Sequence, residues 1–573
     1  MNRLILLSLL TLLGLSVTAQ PQLASPLRLP TAPSGTFAEI RTNHYHGGID
    51  LRVGGDEGVG TPVYAPADGY VSRICISAYS GGKMLYIDHP GGLTTVYMHL
   101  DGYHGAIADF VWGCQKRLQS YALDTAVAKG RLPVRKGELI AYAGNTGMSG
   151  GPHLHYEVRN TATQHAYNPL NYGLTLEDDM KPTIRGIRLL PVDDKCRIEG
   201  SDKPYQLEKK DTVTVLGRFY VGVYATDMSK GSTYRNGYER IDIWVDGKPF
   251  FQYRVDKVDF DNGRALNAQI DYEHYLATKQ GYVVTRRLPG DPLRPARTYG
   301  DGSIGFIASD TSAHRITVQV SDYNGNSAVR QFHVRNTVKP LVQMHAVPRH
   351  VSLRELSDTL LYTQPFSLVC GDYQIEMPAG MLYYNDRLVH GKRTDRRYIS
   401  PLVTVKPWRS PYPPHKTFTL RLPLPVGYDP SQLVVCVLKN DKPTACPTRL
   451  VTRRTEGRTG EWLEADVRDF GLFVVACDTE APAVKPLNFS EGKTVKGSQL
   501  RMRISDNLSG IRDYRCFIND EWVLAEFDGK CSTLTVPLDK PQKISGGRPV
   551  RLRVVLTDCS GNVKDVTYKI ILP

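Results

Sequence analysis

Apolar residues in the first third of the chain recur in short alternating runs that glycines interrupt. Alternation places every second side chain on one face, which is the pattern of a half-buried β-strand. Such runs predict strands at 62–64, 69–76, 84–88, 94–100, 138–143 and 153–158. Segment 105–122 instead spaces its apolar residues by three and four positions, which predicts an amphipathic helix. We therefore expect a mainly β domain over residues 37–178 that carries a helical insertion.

Two short sequence motifs recur in the remainder of the chain. A polar stretch ending in proline recurs at 178–182, 336–340 and 478–482, and D-x-x-G-N occurs at 322–326 and 558–562. Each D-x-x-G-N follows one alternating run and precedes another, which indicates a strand–turn–strand ending. These motifs predict three β-sandwich-like modules, at 179–337, 338–478 and 479–573. We expect the first and third to be related immunoglobulin-like sandwiches, whereas the second lacks the D-x-x-G-N ending.

The N-terminus has the pattern of a secretory signal peptide. Asn2 and Arg3 form a short basic start, an apolar stretch follows at 4–15, and small residues precede a cleavage site after Ala19. We expect a signal peptide over 1–19 and a linker over 20–36. No cysteine follows that site to carry a lipid, and no later run reaches the ~20 apolar residues of a membrane helix. The mature protein is therefore expected to be exported without an integral membrane segment, to the periplasm or the cell surface.

The formal net charge of +13 makes the chain basic. A basic exported protein suits polyanionic surfaces such as cell wall, lipid head groups or nucleic acid, although such a charge also accompanies ordinary solubility. The sequence has no nucleic-acid-binding motif, so we expect no nucleic-acid partner.

Ten cysteines lack the CxxC spacing of a zinc ribbon or a redox site, which favours structural roles. Cys436 and Cys446 flank a polar segment symmetrically, so a hairpin there would place them within reach of a disulfide. Cys75 with Cys114 is a second candidate pair.

Two clusters of metal-ligand residues stand in this first third. On a strand, His153 and His155 share a face ~6.5–7 Å apart, so that one can hold a metal and the other its water. In His46-Gly-Gly-Ile-Asp50 the glycines disfavour a helix, so a strand and a bend would bring the two side chains together. His46, Asp50 and one of His153 or His155 then supply three ligands and leave a fourth position for water, as in a catalytic zinc site.

Five sequence motifs occur one after another between residues 37 and 172. They are His46-x-Gly-x-Asp50, the segment GTPVYAPADG at 60–69, Tyr97-Met-His99-Leu100, Gly144-Asn-Thr-Gly147 and Gly151-Pro-His153-Leu-His155. In this order they resemble the lysostaphin-type zinc endopeptidases of bacterial cell walls, over less than a third of the chain. Two features depart from the simplest members of that family: an insertion at 101–133 and nearly 400 residues of β modules.

The resemblance implies a small, mainly antiparallel β-sheet metallopeptidase domain with one zinc ion per chain in an open groove. By carry-over, His46, Asp50 and His155 hold the zinc, and His153 and His99 are the catalytic histidines that do not bind it. The chain has no H-E-x-x-H helix, so it lacks the glutamate base that thermolysin-like enzymes use. Histidines must then handle the proton, so we expect His153 as the base and His99 as the residue that steadies the oxyanion or the water.

The function expected from this resemblance is zinc-dependent hydrolysis of peptide cross-links in peptidoglycan, whose peptide stems would be the partner. Export without a lipid anchor or wall-sorting tail favours directly cross-linked stems over glycine bridges, which predicts a D,D-endopeptidase. Two alternatives belong to other classes. The chain could be a non-catalytic regulator of another wall hydrolase, or a scaffold or adhesin that acts through its β modules.

Overall fold

The computed structural model describes residues 22–29, 32–54, 58–208, 211–307, 309–337, 356–455, 458–539 and 549–573, together with 542, 544 and 547. The expected signal peptide at 1–19 lies outside these residues. The described chain is mainly β, as predicted, and its sheets are almost entirely antiparallel. No helix in this described portion is long and apolar enough to cross a membrane.

The N-terminal domain (residues 32–178) is built on one eleven-stranded sheet with a separate two-stranded ribbon, β2 and β3. Its strands are β1 Pro33–Gly35, β2 Ile40–Arg41, β3 His44–Tyr45, β4 Ile49–Arg52, β5 Pro62–Tyr64, β6 Gly69–Ile76, β7 Lys83–His89, β8 Leu93–Tyr103, β9 Leu123–Ala126, β10 Pro133–Val134, β11 Leu139–Ala143, β12 His153–Asn160 and β13 Ala166–Tyr167. A 3-10 helix, Pro169–Tyr172, ends the domain. The order β1-β4-β12-β8-β7-β6-β10 places the two strands that carry His155 and His99, β12 and β8, side by side.

The inserted helix α1 spans Gly105–Leu118 and confirms the predicted periodicity. Its residues Ile107, Val111 and Cys114 are buried against the domain, whereas Leu118, which we expected on the same face, is 52% exposed. The helix ends at Leu118, and Gln119 after it adopts the left-handed conformation that often closes a helix.

Segment 20–36, expected to be a linker, is integrated into the domain over its described residues. Strand β1 pairs with β4, with Gly35 opposite Asp50, and Leu23 and Leu27 are buried in the core. The apolar residues of this proline-rich stretch are therefore fixed by packing on the sheet.

The first module (residues 183–337) contains two sheets. Its strands are β14 Thr183–Pro191, β15 Arg197–Ile198, β16 Tyr205–Gln206, β17 Thr212–Leu216, β18 Phe219–Thr226, β19 Arg240–Val245, β20 Lys248–Arg254, β21 Val283–Val284, β22 Ala296–Thr298, β23 Ala313–Ser321 and β24 Ser327–Asn336. A 3-10 helix, Gly263–Gln269, and helix α2, Tyr272–Thr278, join β20 to β21. The sheets have the orders β16-β14-β18-β21 and β15-β17-β24-β23-β19-β20-β22, and β17 runs parallel to β24.

The second module (residues 356–477) also contains two sheets and has its own apolar core. Its strands are β25 Leu356–Leu360, β26 Phe366–Cys370, β27 Tyr373–Met377, β28 Asp386–Arg393, β29 Leu402–Pro407, β30 Phe418–Pro423, β31 Leu433–Lys439, β32 Lys442–Ala445, β33 Thr448–Thr455, β34 Arg458–Val467 and β35 Gly471–Cys477, and a 3-10 helix spans Pro430–Gln432. The sheets have the orders β25-β28-β29-β35-β31-β32 and β26-β27-β30-β34-β33.

The predicted disulfide between Cys436 and Cys446 is absent, and all ten cysteines are free thiols. The hairpin does form between β31 and β32, but it closes through a two-residue turn at Asn440 and Asp441. Cys436 therefore lies opposite Ala445, and Cys446 falls one residue beyond. Because side chains alternate along a strand, this one-residue offset directs the two thiols to different faces. Cys75 and Cys114 are likewise unpaired.

The third module (residues 483–573) packs two four-stranded sheets, β36-β37-β41-β40 and β39-β38-β42-β43. Its strands are β36 Ala483–Pro486, β37 Gln499–Ser505, β38 Ile511–Ile518, β39 Glu521–Val523, β40 Glu526–Asp528, β41 Thr533–Pro537, β42 Pro549–Asp558 and β43 Val563–Ile571. Both D-x-x-G-N segments form the predicted hairpin turns, one between β23 and β24 and one between β42 and β43.

The third module returns in space to the N-terminal domain and shares a continuous apolar core with it and with the first module. Trp522 stacks on Trp112 of the inserted helix with ring centroids 6.1 Å apart. Nearby, Lys83 forms an ion pair with Glu526 at 3.0 Å. The sequence pattern did not predict this contact, since it joins residues more than 400 positions apart.

Candidate metal centre

The centre begins with two facing residues on neighbouring antiparallel strands. Asp50 on β4 lies directly opposite His155 on β12. The pair projects to the same side of the sheet, and Oδ1 of Asp50 lies 2.8 Å from Nδ1 of His155. Both residues are buried.

His46 reaches the same point from the bend before β4. Its Nε2 lies 3.0 Å from Oδ1 of Asp50 and 2.9 Å from Nδ1 of His155. The following glycines allow this approach, because a Cβ at Gly48 would lie 2.3 Å from the Tyr156 carbonyl oxygen. At Gly47 a Cβ would lie 2.6 Å from the Glu157 carboxylate. The sequence His-Gly-Gly-Ile-Asp thus brings the bend against β12.

His46, Asp50 and His155 each offer a ligand atom, and these atoms all lie within 4.8 Å of one another. Two imidazole nitrogens and one carboxylate oxygen form a donor set that suits Zn²⁺. Three protein ligands also match the open coordination that catalytic zinc sites use, in which one position is left for water.

Each of these three candidate ligands is held from behind by a hydrogen bond. His46 donates from Nδ1 to the Thr36 carbonyl at 2.8 Å, and Arg41 donates to Oδ2 of Asp50 at 2.6 Å. His155 donates from Nε2 to the Glu157 carboxylate at 2.9 Å. Such outer contacts fix the tautomer and the orientation of metal ligands.

Glu157 is itself fixed by Arg159. The Arg159 Nε donates to Oε2 of Glu157 at 2.5 Å, and the guanidinium stacks on Phe260 of the first module, 4.3 Å from the ring centroid. Burial opposes ionisation of Glu157, but the charges of Arg159 and His155 lower its pKa to about 2. Glu157 is therefore a carboxylate that holds His155 in place.

Burial and these contacts shift the pKa values of the three residues. Burial lowers the pKa of His46 to about 4. Burial alone would raise the pKa of Asp50, but the charge of His46 and hydrogen bonds from the surrounding histidines hold it well below its usual range. Burial also opposes protonation of His155, yet its hydrogen bonds to Asp50 and Glu157 raise its pKa to about 9.

The remaining two histidines stand beside this cluster. Nε2 of His153 lies 3.4 Å from Oδ1 of Asp50, and its Nδ1 donates to the Gly151 carbonyl at 2.9 Å. The His99 ring centroid lies 4.8 Å from that of His153. His99 donates from Nδ1 to the Thr146 carbonyl at 2.8 Å, in the Gly144–Gly147 loop.

His99 has an unusual backbone and an uncharged ring. Its φ of 62° is left-handed, and its amide is held by the Gly81 carbonyl at 2.8 Å. Burial, together with His153 and His155, lowers its pKa to about 3. The imidazole is therefore neutral near pH 7, with its proton on Nδ1 and a lone pair on Nε2.

The structure thus brings together all five histidine and aspartate residues singled out from the sequence. Other histidines lie elsewhere: His44 is exposed and bonds to the Thr42 carbonyl, and His89 bonds to the Asp68 carbonyl.

The sequence reasoning missed Thr36, Arg41, Glu157 and Arg159. A signal for the last two was present, because residues 153, 155, 157 and 159 alternate along β12 and share one face.

Comparison with known proteins agrees with this geometry. Residues 44–111 and 117–169 match the model of Peptidase family M23. An uncharacterized metalloprotease of Haemophilus influenzae is 36% identical over 151 residues, which cover 26% of each chain. The DD-carboxypeptidase/endopeptidase Mpg of Neisseria meningitidis is 34% identical over 122 residues, 21% of each chain. The peptidoglycan DD-endopeptidase ShyB of Vibrio cholerae is 36% identical over 100 residues, 18% of each chain.

The β fold and the His–Asp–His cluster define a metallopeptidase domain. The match to the model of Peptidase family M23, over residues 44–111 and 117–169, covers this domain. The matches to these relatives span between 18% and 26% of the relatives' own lengths.

Proposed function

We propose that this protein is an exported zinc-dependent endopeptidase that hydrolyses peptide cross-links of bacterial peptidoglycan. The observation that carries the proposal is the convergence of His46, Asp50 and His155 with His99 and His153 beside them. The names of the relatives, DD-endopeptidase and DD-carboxypeptidase/endopeptidase, support the substrate class. We propose further that the bond cut is the D,D cross-link between D-alanine and the diamino acid of the next stem.

Zinc is the metal that best fits the donor set, with one ion per chain held by His46, Asp50 and His155. When bound, it would supply a Lewis acid that polarises a carbonyl and lowers the pKa of water to near ~7. Thr36, Arg41 and Glu157 keep the three ligands in their tautomers and orientations.

His153 is the proposed general base. Its Nδ1 proton is engaged by the Gly151 carbonyl, which leaves Nε2 to accept a proton on the side of Asp50. His99 is the proposed positioning group for the attacking water, because its neutral ring carries a lone pair on Nε2. After accepting the proton, His153 can return it to the leaving amine as a general acid.

Charge supports an anionic substrate. The formal net charge is +13, and +12 once Arg3 is removed with the signal peptide. Peptide stems with free carboxylates would be attracted to such a surface, and added salt would weaken the attraction.

Product analysis by mass spectrometry tests the substrate. Purified cross-linked muropeptide dimers should be converted to monomers by the zinc-loaded protein and spared after chelation. His153→Ala should lose most of this activity, whereas His44→Ala, an exposed histidine close in sequence to the metal cluster, should retain it. Cleavage of a pentaglycine peptide with the dimers left intact would reject the D,D bond. Tight zinc binding with no cleavage of any wall peptide would instead favour the alternative that the protein is a non-catalytic regulator of another wall hydrolase.

A further inference from the structure

A second cluster of acidic residues lies at the start of the third module. Asp478 precedes β36, Asp506 follows β37, and Asp558 is the last residue of β42. Each carboxylate offers an oxygen, and these oxygens all lie within 4.8 Å of one another. Three loops at one end of the sandwich thus direct negative charge to one point.

Two of these carboxylates are buried and the third, Asp506, is half-buried, and the cluster has no matching positive charge among the described residues. Asp478 and Asp558 are both 0% exposed. Across the described residues, no lysine, arginine or histidine nitrogen lies within 4.0 Å of any of the three carboxylates. A buried charge without a partner is strongly unfavourable, so a group that neutralises the three is expected.

Two buried oxygens of the cluster also lack any hydrogen bond among the described residues. Oδ2 of Asp478 accepts from the Ser509 amide at 3.0 Å, but its Oδ1 has no partner among the described residues. Oδ1 of Asp506 likewise has no hydrogen-bond partner among the described residues, although Oδ2 of Asp506 accepts from the Gly510 amide at 2.7 Å. Two oxygens of the cluster therefore retain unused lone pairs.

The D-x-x-G-N turn explains how the cluster is held. Asn562 donates its backbone amide to Oδ1 of Asp558 and its side-chain amide to Oδ2, both at 2.8 Å. The same side-chain amide reaches the Asp478 carbonyl at 2.9 Å. Asn562 orients two members of the cluster but brings no charge.

The first module repeats this arrangement at the equivalent places. Asp178 precedes β14, Asp227 follows β18 and Asp322 follows β23, again with ligand atoms within 4.8 Å. Asn326 contacts Asp322 and the Asp178 carbonyl as Asn562 does in the third module. Burial and the neighbouring carboxylates raise the pKa of Asp227 to about 7. Two modules with different sequences thus build the same carboxylate triad.

We propose that Asp478, Asp506 and Asp558 bind a divalent cation, Ca²⁺, at the start of the third module. Calcium takes oxygen ligands at about 2.3–2.6 Å, so two oxygens on opposite sides of one ion lie up to about 5 Å apart. The cluster has neither the imidazole nor the thiolate that zinc favours. Backbone carbonyls and water would complete the coordination shell of six to eight oxygens.

The position of the site gives the ion a structural role. Asp478 belongs to the segment that joins the second module to the third. Leu508, in the loop after Asp506, packs on an apolar cluster of the second module that includes Leu402 and Val434. A cation that ties Asp478 to this loop would fix the third module relative to the second.

Calorimetric titration of the full-length, zinc-loaded protein with CaCl₂ tests the site. Asp506→Asn keeps an oxygen for the Gly510 amide but removes the charge, so it should bind one Ca²⁺ fewer per chain than the wild type. Asp558→Asn should do the same. Asp565→Asn, which removes an exposed partner of Arg553 on β43, should bind as many ions as the wild type.

Thermal unfolding supplies a second measurement. Calcium should raise the melting temperature of the wild type more than that of Asp506→Asn, while circular dichroism and zinc content stay unchanged. The proposal is overturned if the wild type takes up no Ca²⁺ at millimolar concentration, or if a folded Asp506→Asn variant binds as many ions as the wild type.

Discussion

His155 and Asp50 face each other across β12 and β4, with Nδ1 2.8 Å from Oδ1. This contact depends on strand register, because a slip of one residue would turn either side chain to the opposite face of the sheet. The register is supported on the other side of β12 as well, where His155 pairs with Met98 on β8. The sheet therefore sets the separation of these two candidate ligands.

Replacement of any ligand should remove the metal. We expect His46→Ala, Asp50→Ala and His155→Ala each to bind zinc at least ~100-fold more weakly, since each deletes one of three protein ligands. Metal content after gel filtration, measured by mass spectrometry, checks this. The His44→Ala control should retain one zinc per chain. If His155→Ala held zinc normally and His153→Ala did not, the assignment of the two histidines would be reversed.

The two other histidines should separate metal binding from turnover. His153→Ala and His99→Ala are expected to keep the zinc and to lose about 100-fold or more in kcat, because they act on water and substrate. Parallel measurements of metal content and of dimer cleavage provide the comparison. Loss of zinc from either variant would place that residue among the ligands.

Glu157→Gln tests the hydrogen bond behind His155. The amide keeps the size of the side chain but removes the charge that holds the His155 Nε2 proton and pairs with Arg159. Zinc affinity should fall by about 10–100-fold, as is typical for the loss of an outer contact. Competition with a chelator gives the affinity. Glu521→Gln, an exposed residue of β39, is the control, and equal affinities in the two variants would show that Glu157 is dispensable.

Sequence patterns predicted those structural features that depend on residues close together in the chain. Alternation located six strands of the N-terminal domain, three-and-four spacing located α1, and D-x-x-G-N located two hairpins. The His and Asp motifs were sufficient to nominate the residues that the fold brings together. The strands, the helix and the two turns are each set by residues close together in the sequence.

Features that depend on the pairing of distant segments were not predicted. The alternation on β12 shows that Glu157 shares a face with His155, but not that Arg159 and Phe260 lie behind it. The predicted disulfide between Cys436 and Cys446 was wrong because it assumed a hairpin symmetric about Asp441. The turn instead has two residues, and turn length sets the register of the two strands. The contact of the third module with the N-terminal domain has no counterpart in local sequence.

The third module should stabilise a loop next to the metal centre. Its Gly529 amide bonds to the Ala78 carbonyl at 3.3 Å, and the same loop supplies the Gly81 carbonyl that holds His99. A Cβ at Gly529 would lie 2.6 Å from the Tyr79 ring and 2.8 Å from the Ala78 oxygen. Gly529→Ala should therefore separate the two surfaces without altering either core.

Hydrogen exchange measures this effect. In Gly529→Ala, amides of residues 77–82 should exchange faster than in the wild type, with zinc retained. Gly391→Ala, where a Cβ has nothing within 4 Å, should leave their exchange unchanged. Unaltered exchange at 77–82 in a folded Gly529→Ala protein would mean that the third module does not support the loop.

A buried histidine should make the contact between the first and second modules sensitive to acid. His415 stacks on Tyr383, which packs against Ala265 and Ala268 of the first module. Burial and the neighbouring Lys416 lower the pKa of His415 to about 4. The unfolded chain, with a pKa near ~6.5, binds more protons between these values, so stability falls as the pH drops from 6.5 toward 4.

The expected loss from His415 between pH 7 and pH 5 is about 2 kcal/mol, which His415→Gln should abolish. Unfolding midpoints of the wild type and the variant at both pH values measure it, and the zinc centre affects both proteins alike. His333→Gln, a half-buried histidine on β24, should keep the wild-type response. If His415→Gln lost as much stability on acidification as the wild type, the acid sensitivity would have to arise from another group.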